Sequence, residues 1–427
     1  MCGIFGYIGH RNASSLLVKG LLRLEYRGYD SSGVVVKNGQ LQSYKDIGKI
    51  SEMATSLPDI KGSMGIAHTR WATHGGVTKE NAHPHLSNDG KVAIVHNGIL
   101  QNSDALRKRL KRAGVQLNSE TDSEVFCHYI AMALEEGKEP LEALQSVLSM
   151  ARGTWGVCVL FQDFDYVLCA RNGSPLIIGR GKDEMFISSD PHAIREHTDQ
   201  LVALEDGQIA KLDAHDFQVM QTDGQEVESH LLQLEEEWGE SELGEYPHFM
   251  LKEIHEQSQS LQHCFSGRLR HAEGTSVLGG LQVQPQKLAQ LPHVRLIGCG
   301  TALHAAQIGQ ILIEQWARIP AVSHVASEFN ANDPVINPKA LHLAISQSGE
   351  TADTLSAVKE IQRKGADVYG VVNVVGSSIA RQCGKGVYIH SGPEQSVAST
   401  KAFTNMVGAL ALFALQLGRS RHLSKNK

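Results

Sequence analysis

The sequence has few of the features that mark secreted, membrane or metal-binding proteins. Its seven cysteines are scattered and odd in number, and none forms a CxxC pair or another metal-ligand spacing. We therefore expect reduced thiols in a cytoplasmic protein, and no metal or other cofactor. No apolar run reaches the roughly 18 residues of a membrane span, and the richest one, MVGALALFALQLG at 406–418, predicts a buried helix. The net charge of −6 gives no electrostatic footprint for nucleic acid.

The length of 427 residues favours two or three domains. Over residues 2–220, short apolar runs are bounded by Gly, Asn or Asp, with two helices at 103–114 and 122–137, which predicts an antiparallel, hairpin-rich α+β domain. Residues 221–245 are acidic, lack a clear period and predict a linker. Over 246–427, apolar strands alternate with helical segments, which predicts an α/β domain with a parallel sheet covered by helices on both faces.

The chain begins MCGIFGYIG, with a cysteine directly behind the initiator methionine. Methionine before a small residue is normally removed, and removal would give Cys2 a free α-amine with a pKa of about 7.7–8.0. That amine could act as the base for the thiol of its own residue, so no separate histidine would be needed. The alternative is a buried thiol at the start of an edge strand.

A thiol that attacks an amide needs donors for the resulting oxyanion. In KVAIVHNGIL a strand is expected to end at His96, so that Asn97 and Gly98 begin a turn and could supply a side-chain amide and a backbone N–H. The alternative is an ordinary Asn-Gly turn.

Further polar residues follow neighbouring strands. GIAHTRWATHG is a strand that runs into a polar loop, where Arg70 could bind a carboxylate in a bidentate manner or form a surface salt bridge. Asp122 lies at a helix start, where it could cap the helix or receive an ammonium group. YRGYDSSG could be a mobile lid or merely a loop.

Taken together, CGIFGYIG, LEYRGYDSSG, GIAHTRWATHG, HNGI and SETDSEV resemble the class II glutamine amidotransferases. The resemblance implies an N-terminal-nucleophile hydrolase, an αββα sandwich that releases ammonia from glutamine through a glutamyl thioester. It implies catalytic and oxyanion roles for Cys2, Asn97 and Gly98, and glutamine binding by Arg70, Thr73, His74 and Asp122. It also implies that Trp71 is the gate between the glutamine site and the ammonia path.

The second half lacks both SGGxDS and GxxxxGK[ST], which argues against an ATP pyrophosphatase and a P-loop. In AISQSGETADTLSAVKEI, hydroxyl and amide side chains crowd a helix N-terminus, where backbone N–H groups and the dipole favour an anion. The alternative is a polar turn with a serine cap. IGCGTALHAAQIG is a second strand–loop–helix unit.

These segments and SVASTKAFT resemble the sugar isomerase (SIS) fold, in the order found in the glucosamine-6-phosphate synthase family. The resemblance implies sugar-phosphate binding by Cys299, Gly300, Thr301, Ser346, Gln347, Ser348, Thr351, Glu394 and Val397. Two features depart from that family. Ala302 stands where a serine is usual, and the second SIS domain with its tail lysine does not follow. Lys401 belongs to another motif and is not expected to replace that lysine.

The resemblance implies that glutamine supplies ammonia to fructose 6-phosphate to form glucosamine 6-phosphate, in a homodimer. One alternative is a chain that acts only as a glutaminase with a sugar-phosphate-binding domain. Another is a non-catalytic sugar-phosphate sensor.

Overall fold

The computed structural model of the chain describes residues 2–72, 74–229, 232–233 and 243–424. The chain divides into two compact units, Met1–Leu234 and Glu235–Lys427. The predicted linker at 221–245 falls on both sides of this division, and its residues 230–231 and 234–242 lie outside the described residues.

The first unit is built mainly of strands. Its strands are β1 (Gly3–Gly9), β2 (Ser31–Asn38), β3 (Gln40–Ile47), β4 (Met64–Arg70), β5 (His85–Leu86), β6 (Val92–Leu100), β7 (Gly153–Phe161), β8 (Val167–Asn172), β9 (Ile177–Arg180), β10 (Glu184–Ser188), β11 (Gln200–Ala203), β12 (Gln208–Leu212), β13 (Phe217–Gln221) and β14 (Leu232–Gln233). Its α-helices are α1 (Ala13–Leu24), α2 (Ile50–Ser56), α3 (Ser103–Arg112), α4 (Glu124–Glu135) and α5 (Pro140–Met150).

The strands form two antiparallel sheets. One has eight strands in the order β14-β11-β9-β10-β1-β4-β2-β3, and the other has six in the order β13-β12-β8-β7-β6-β5. One apolar cluster fills the space between the sheets, a second lies between the eight-stranded sheet and α1 and α2, and a third lies between the six-stranded sheet and α3, α4 and α5. The layers of helices, two sheets and helices form the αββα sandwich that the resemblance implied.

Strand β1 shows why the sandwich forms from this sequence. Every residue of β1 is buried, because the strand lies in the middle of its sheet with the second sheet on one face and α1 on the other. Ile4 and Ile8 pack in the cluster between the sheets, whereas Phe5 and Tyr7 pack against the helices. The apolar run therefore reads as a strand buried on both faces rather than as an alternating one.

The second unit contains strands β15 (Leu269–Arg270), β16 (Thr275–Ser276), β17 (Val294–Gly298), β18 (Ala321–Val325), β19 (Leu341–Ser346), β20 (Val368–Val372) and β21 (Gly386–Tyr388). Its α-helices are α6 (Phe249–Phe265), α7 (Pro285–Ala289), α8 (Thr301–Ala317), α9 (Ala326–Phe329), α10 (Ala352–Arg363), α11 (Ser378–Cys383) and α12 (Lys401–Arg421).

Five of these strands form a parallel sheet in the order β18-β17-β19-β20-β21. Helices α7, α8 and α12 share an apolar cluster with one face of the sheet, and α9, α10 and α11 share another with the opposite face. The predicted α/β arrangement is confirmed.

Helix α12 is long and apolar enough to cross a membrane by length and composition, but 67% of its most apolar window is buried inside the protein, as expected for a core helix.

Candidate active site

Cys2 directly precedes β1 and lies against the end of β4. The N–H of Trp71 donates to Cys2 Sγ at 3.3 Å, and the thiol lies 3.5 Å from the carbonyl oxygen of the same residue. The carbonyl oxygen of Cys2 accepts from Arg27 Nε at 3.3 Å and from Asn97 Nδ2 at 3.1 Å. The start of the chain is therefore held by groups from three different parts of the sequence.

The surroundings of Cys2 decide the protonation of its thiol. Burial raises the pKa of Cys2, an effect opposed by the N–H of Trp71 and by the charges of Arg70 and Arg27. A thiol whose pKa lies above its ordinary value is mostly protonated near neutrality. It therefore needs a base before it can act as a nucleophile.

The Asn-Gly pair corrects one prediction, because the strand does not end at His96. Strand β6 continues to Leu100, and Asn97 and Gly98 pair with Gly156 and Trp155 of β7. Neither the predicted turn nor the alternative Asn-Gly hairpin turn forms.

Glycine is required at position 98. Gly98 has a φ of +142°, and a Cβ there would lie 2.1 Å from the carbonyl oxygen of Thr154. A side chain at this position would therefore force β6 and β7 apart. Because Asn97 is the preceding residue of β6, its side-chain amide would move as well.

Arg70 ends β4 and is buried rather than part of a surface salt bridge. Its guanidinium donates to the carbonyl oxygens of residues 74, 75 and 76, at 2.5, 3.3 and 3.0 Å, and so holds the following loop. Burial lowers the pKa of Arg70, and this is opposed by Cys2 and by the carboxylates of Asp30 and Asp122. The region around Cys2 therefore contains charges of both signs.

Asp122 does not cap the helix that follows it. Helix α4 begins at Glu124 with Ser123 at its N-cap position and no side-chain cap. The carboxylate of Asp122 instead accepts the N–H of Leu100 at 2.7 Å and the hydroxyl of Ser123 at 3.3 Å. Capping is thus ruled out, and Asp122 is placed beside the end of β6.

The loop after β4 carries the remaining predicted residues of this site. Trp71 is half-buried, and its ring packs edge-on against Tyr29 with the centroids 5.5 Å apart. His74 is exposed. Thr73 lies outside the described residues.

The sequence motifs did not single out Arg27, although YRGYDSSG contains it. Its buried guanidinium donates to Asp190 Oδ2 at 2.6 Å as well as to the carbonyl of Cys2. The same segment packs closely on the end of β4, because a Cβ on Gly28 would lie 2.5 Å from the carbonyl carbon of Arg70. The segment therefore holds Cys2 and the end of β4 in place. The sequence feature that could have indicated this role of Arg27 is an arginine within a motif of turn residues.

In the second unit, two of the predicted sugar-phosphate segments, the loops that begin at Cys299 and at Ser346, lie at one edge of the parallel sheet. The loop of Cys299 and Gly300 joins β17 to α8, and the loop that begins at Ser346 joins β19 to α10. Since β17 and β19 are adjacent parallel strands, their carboxyl ends and both loops lie side by side. This is where ligands bind in open α/β sheets.

Hydroxyl groups of the loop after β19 form hydrogen bonds within that loop. Ser346 Oγ lies 3.0 Å from Thr351 Oγ1 and accepts the N–H of Gly349 at 3.0 Å, while Ser348 Oγ accepts the N–H of Glu350 at 3.1 Å. Gly349 has a φ of +65°, and a Cβ there would meet Ser377. The turn therefore needs glycine, and it presents hydroxyls at the N-terminus of α10.

In the segment before α12, the predicted sugar-phosphate residues are Glu394 and Val397. Glu394 accepts the N–H groups of Thr400 and Ala402 at 2.8 and 3.0 Å, so its carboxylate is already used at the start of that helix. Val397 is 62% exposed. Lys401 is buried, with its Nζ 2.6 Å from Glu256 Oε2. Ala302, in the first turn of α8, packs in the apolar cluster.

Comparison with known proteins agrees with this division. Residues 68–196 match the family described as a glutamine amidotransferase domain, and residues 287–416 match the family described as a SIS domain. The chain is 43% identical over 424 residues to the glutamine–fructose-6-phosphate aminotransferase (isomerizing) of Thermus thermophilus, covering 99% of this chain and 69% of the relative. The chain belongs to the glutamine–fructose-6-phosphate aminotransferase family.

A second relative in the glutamine–fructose-6-phosphate aminotransferase family comes from Bacteroides thetaiotaomicron, with 44% identity over 428 residues, or 99% of this chain and 70% of the relative. Among solved structures, the chain is similar to the C-terminal domain of glucosamine-fructose-6-phosphate aminotransferase from Francisella tularensis. That match has 31% identity and a TM-score of 0.41, and it covers 44% of this chain and 52% of that one.

Proposed function

We propose that the chain is a glutamine-dependent amidotransferase that hydrolyses glutamine at Cys2 and passes ammonia to fructose 6-phosphate, forming glucosamine 6-phosphate. The observation that carries the proposal is the convergence on Cys2 of the Trp71 N–H, the Asn97 amide and Arg27. A cysteine that merely filled space would not need a donor on its thiol and two more on its carbonyl oxygen.

The geometry supports the following glutaminase step. Because burial raises the pKa of the thiol, a base must remove its proton. The α-amine of Cys2, once Met1 has been removed, is the base within reach on the same residue. The thiolate attacks the side-chain amide carbon of glutamine, ammonia leaves, and water hydrolyses the resulting thioester to glutamate.

Asn97 and Gly98 supply the donors for the oxyanion formed in both halves of that reaction. Arg70 binds the α-carboxylate of glutamine and Asp122 its α-ammonium, together with Thr73 and His74. Trp71 gates the release of ammonia. The opposed charges of Arg70 and Asp122 support this orientation, since the amide of glutamine is then the end left to face Cys2.

In the second unit, Ser346, Gln347, Ser348 and Thr351 bind the sugar phosphate at the N-terminus of α10. The neighbouring loop of Cys299, Gly300 and Thr301 lies against the sugar, with Glu394 and Val397 nearby. The support is that adjacent parallel strands bring both loops to one edge. We expect a homodimer in the cytoplasm, and light scattering on the purified chain tests its oligomeric state.

The deciding experiment measures glutamate release and glucosamine 6-phosphate formation separately on the same sample. Cys2→Ala should abolish glutamate release, whereas Ser348→Ala should keep it and weaken the binding of fructose 6-phosphate. A wild-type chain that binds the sugar phosphate but releases no glutamate would favour the sensor alternative.

A further inference from the structure

A buried histidine lies behind the proposed oxyanion donor. His68 is 1% exposed and lies on β4, two residues after Ile66, on the face that packs against the second sheet. The preceding residues of that face, Met64 and Ile66, are apolar and belong to the cluster between the sheets. The pattern predicts another apolar residue at 68, so a histidine there calls for an explanation.

The explanation lies in its hydrogen bond to Asn97. His68 Nε2 lies 2.9 Å from Asn97 Oδ1, and Asn97 Nδ2 donates to the carbonyl of Cys2 at 3.1 Å. The opposite orientation of the amide would place Asn97 Oδ1 against the carbonyl oxygen of Cys2, and two acceptors cannot bond. The network therefore assigns Oδ1 to the side of His68. Since Oδ1 can only accept, the proton of the neutral ring must be on Nε2.

The ring of His68 is itself fixed in place. It stacks on His83 with centroids 4.2 Å apart and an interplanar angle of 16°, and His83 Nδ1 accepts the N–H of His96 at 3.2 Å. Burial lowers the pKa of His68 to about 3, so the ring stays neutral at working pH.

We propose that His68 is a positioning residue of the glutaminase site: it holds the side-chain amide of Asn97 with its N–H groups turned toward Cys2 and the oxyanion. This inference rests on the proposed function. Asn97 Oδ1 has no other hydrogen-bond partner in the part of the chain that the structure describes. Without His68, the bond from Asn97 Nδ2 to the Cys2 carbonyl oxygen is left to oppose a turn of the amide that would present its oxygen to the developing negative charge.

The test compares His68→Met with His68→Gln, because both side chains are unbranched and only glutamine carries a donor near the position of Nε2. Removing an oxyanion donor costs on the order of 10²–10³ in kcat. His68→Met, which leaves the donor present but free to turn, should lower kcat by about ten- to a hundredfold with KM for glutamine unchanged. His68→Gln should restore most of the loss.

Two further measurements separate positioning from general damage. If His68 acts through Asn97, adding His68→Met to Asn97→Ala should cause no further loss of kcat. Alkylation of Cys2 by iodoacetamide, followed by peptide mass spectrometry, forms no oxyanion and should proceed at the wild-type rate in His68→Met.

Equal kcat in wild type and His68→Met, equal loss in both His68 variants, or a further loss in the Asn97→Ala background would overturn the positioning role. The wild-type control distinguishes this from failure of the proposed function. If the wild-type chain releases no glutamate, the glutaminase assignment fails and the positioning role fails with it. If it does release glutamate, only the positioning role is at stake.

Discussion

Gly98→Ala is the substitution that most directly tests the strand geometry of the site. A Cβ at 98 would lie 2.1 Å from the carbonyl oxygen of Thr154, more than 1 Å short of the 3.4 Å of ordinary contact. The oxygen belongs to the backbone of β7, so it cannot rotate away as a side chain would. The two strands must separate at the point where Asn97 contributes its amide.

The cost has two parts. Holding a residue other than glycine at a φ of +142° costs about 1–3 kcal/mol, and forcing a methyl group into a packed position costs about 1–3 kcal/mol more. We therefore expect Gly98→Ala to lower the free energy of unfolding by about 2–6 kcal/mol. Glutamate release should fall as well, because the oxyanion donors move.

Gly90→Ala is the matched control. Gly90 lies in the turn just before β6 with a φ of +72°, but a Cβ there meets nothing within 4 Å. It should cost only the backbone strain, about 1–2 kcal/mol, and leave glutamate release unchanged.

Urea denaturation followed by tryptophan fluorescence compares the two variants. The signal of the four tryptophans includes that of Trp155, the residue opposite Gly98. If Gly98→Ala unfolded at the same urea concentration as Gly90→Ala and released glutamate at the wild-type rate, the argument from strand separation would be wrong.

Four further outcomes follow from the same structure. Cys2→Ala should abolish glutamate release without changing the circular dichroism spectrum, and residual release would place the nucleophile elsewhere. Arg70→Lys should raise KM for glutamine more than it lowers kcat, since a point charge cannot replace a planar fork; steady-state kinetics with an unchanged KM would remove Arg70 from the binding site. Ser348→Ala should weaken binding of fructose 6-phosphate by about 0.5–3 kcal/mol, measured by calorimetry, and unaltered affinity would contradict its contact with the phosphate. Burial lowers the pKa of His68 to about 3, so the folded ring stays neutral, whereas His68 of the unfolded chain takes up a proton near pH 6.5. The free energy of unfolding should therefore fall as the pH is lowered from 7 to 5. Urea midpoints that stay flat or rise on acidification would refute this.

Sequence patterns predicted most of the strands but missed several helices. The apolar runs of β1, β4 and β7 are clear because these strands are buried in the sandwich. Helix α1 was not predicted, and its central Gly20 explains part of this, since glycine is a poor helix former. The structure shows why glycine is there: a Cβ at 20 would lie 2.3 Å from the ring of Phe5. Close packing on the sheet outweighs local propensity.

The site could be predicted only in part, for a similar reason. The turn expected at Asn97 and Gly98 followed from local preference, but pairing with β7 carries the strand through them. The expected cap at Asp122 was likewise local, whereas its partner Leu100 lies on a different element. Arg27 joins Cys2 to Asp190, which is 163 residues away from Arg27 in the sequence, and no motif records such a contact.

The proposed nucleophile and the proposed oxyanion donors come from different sheets. Cys2 precedes β1 of the eight-stranded sheet, whereas Asn97 lies on β6 of the six-stranded sheet. The distance between them is therefore set by the apolar cluster between the sheets, to which Ile66 and Val95 belong. His68 and Asn97 continue those same two inward faces by one further alternate position, so the polar pair lies where the apolar layer ends. The catalytic geometry proposed here is thus a consequence of how the two sheets pack, and this explains why residues recognised singly in the sequence form a site only in the folded sandwich.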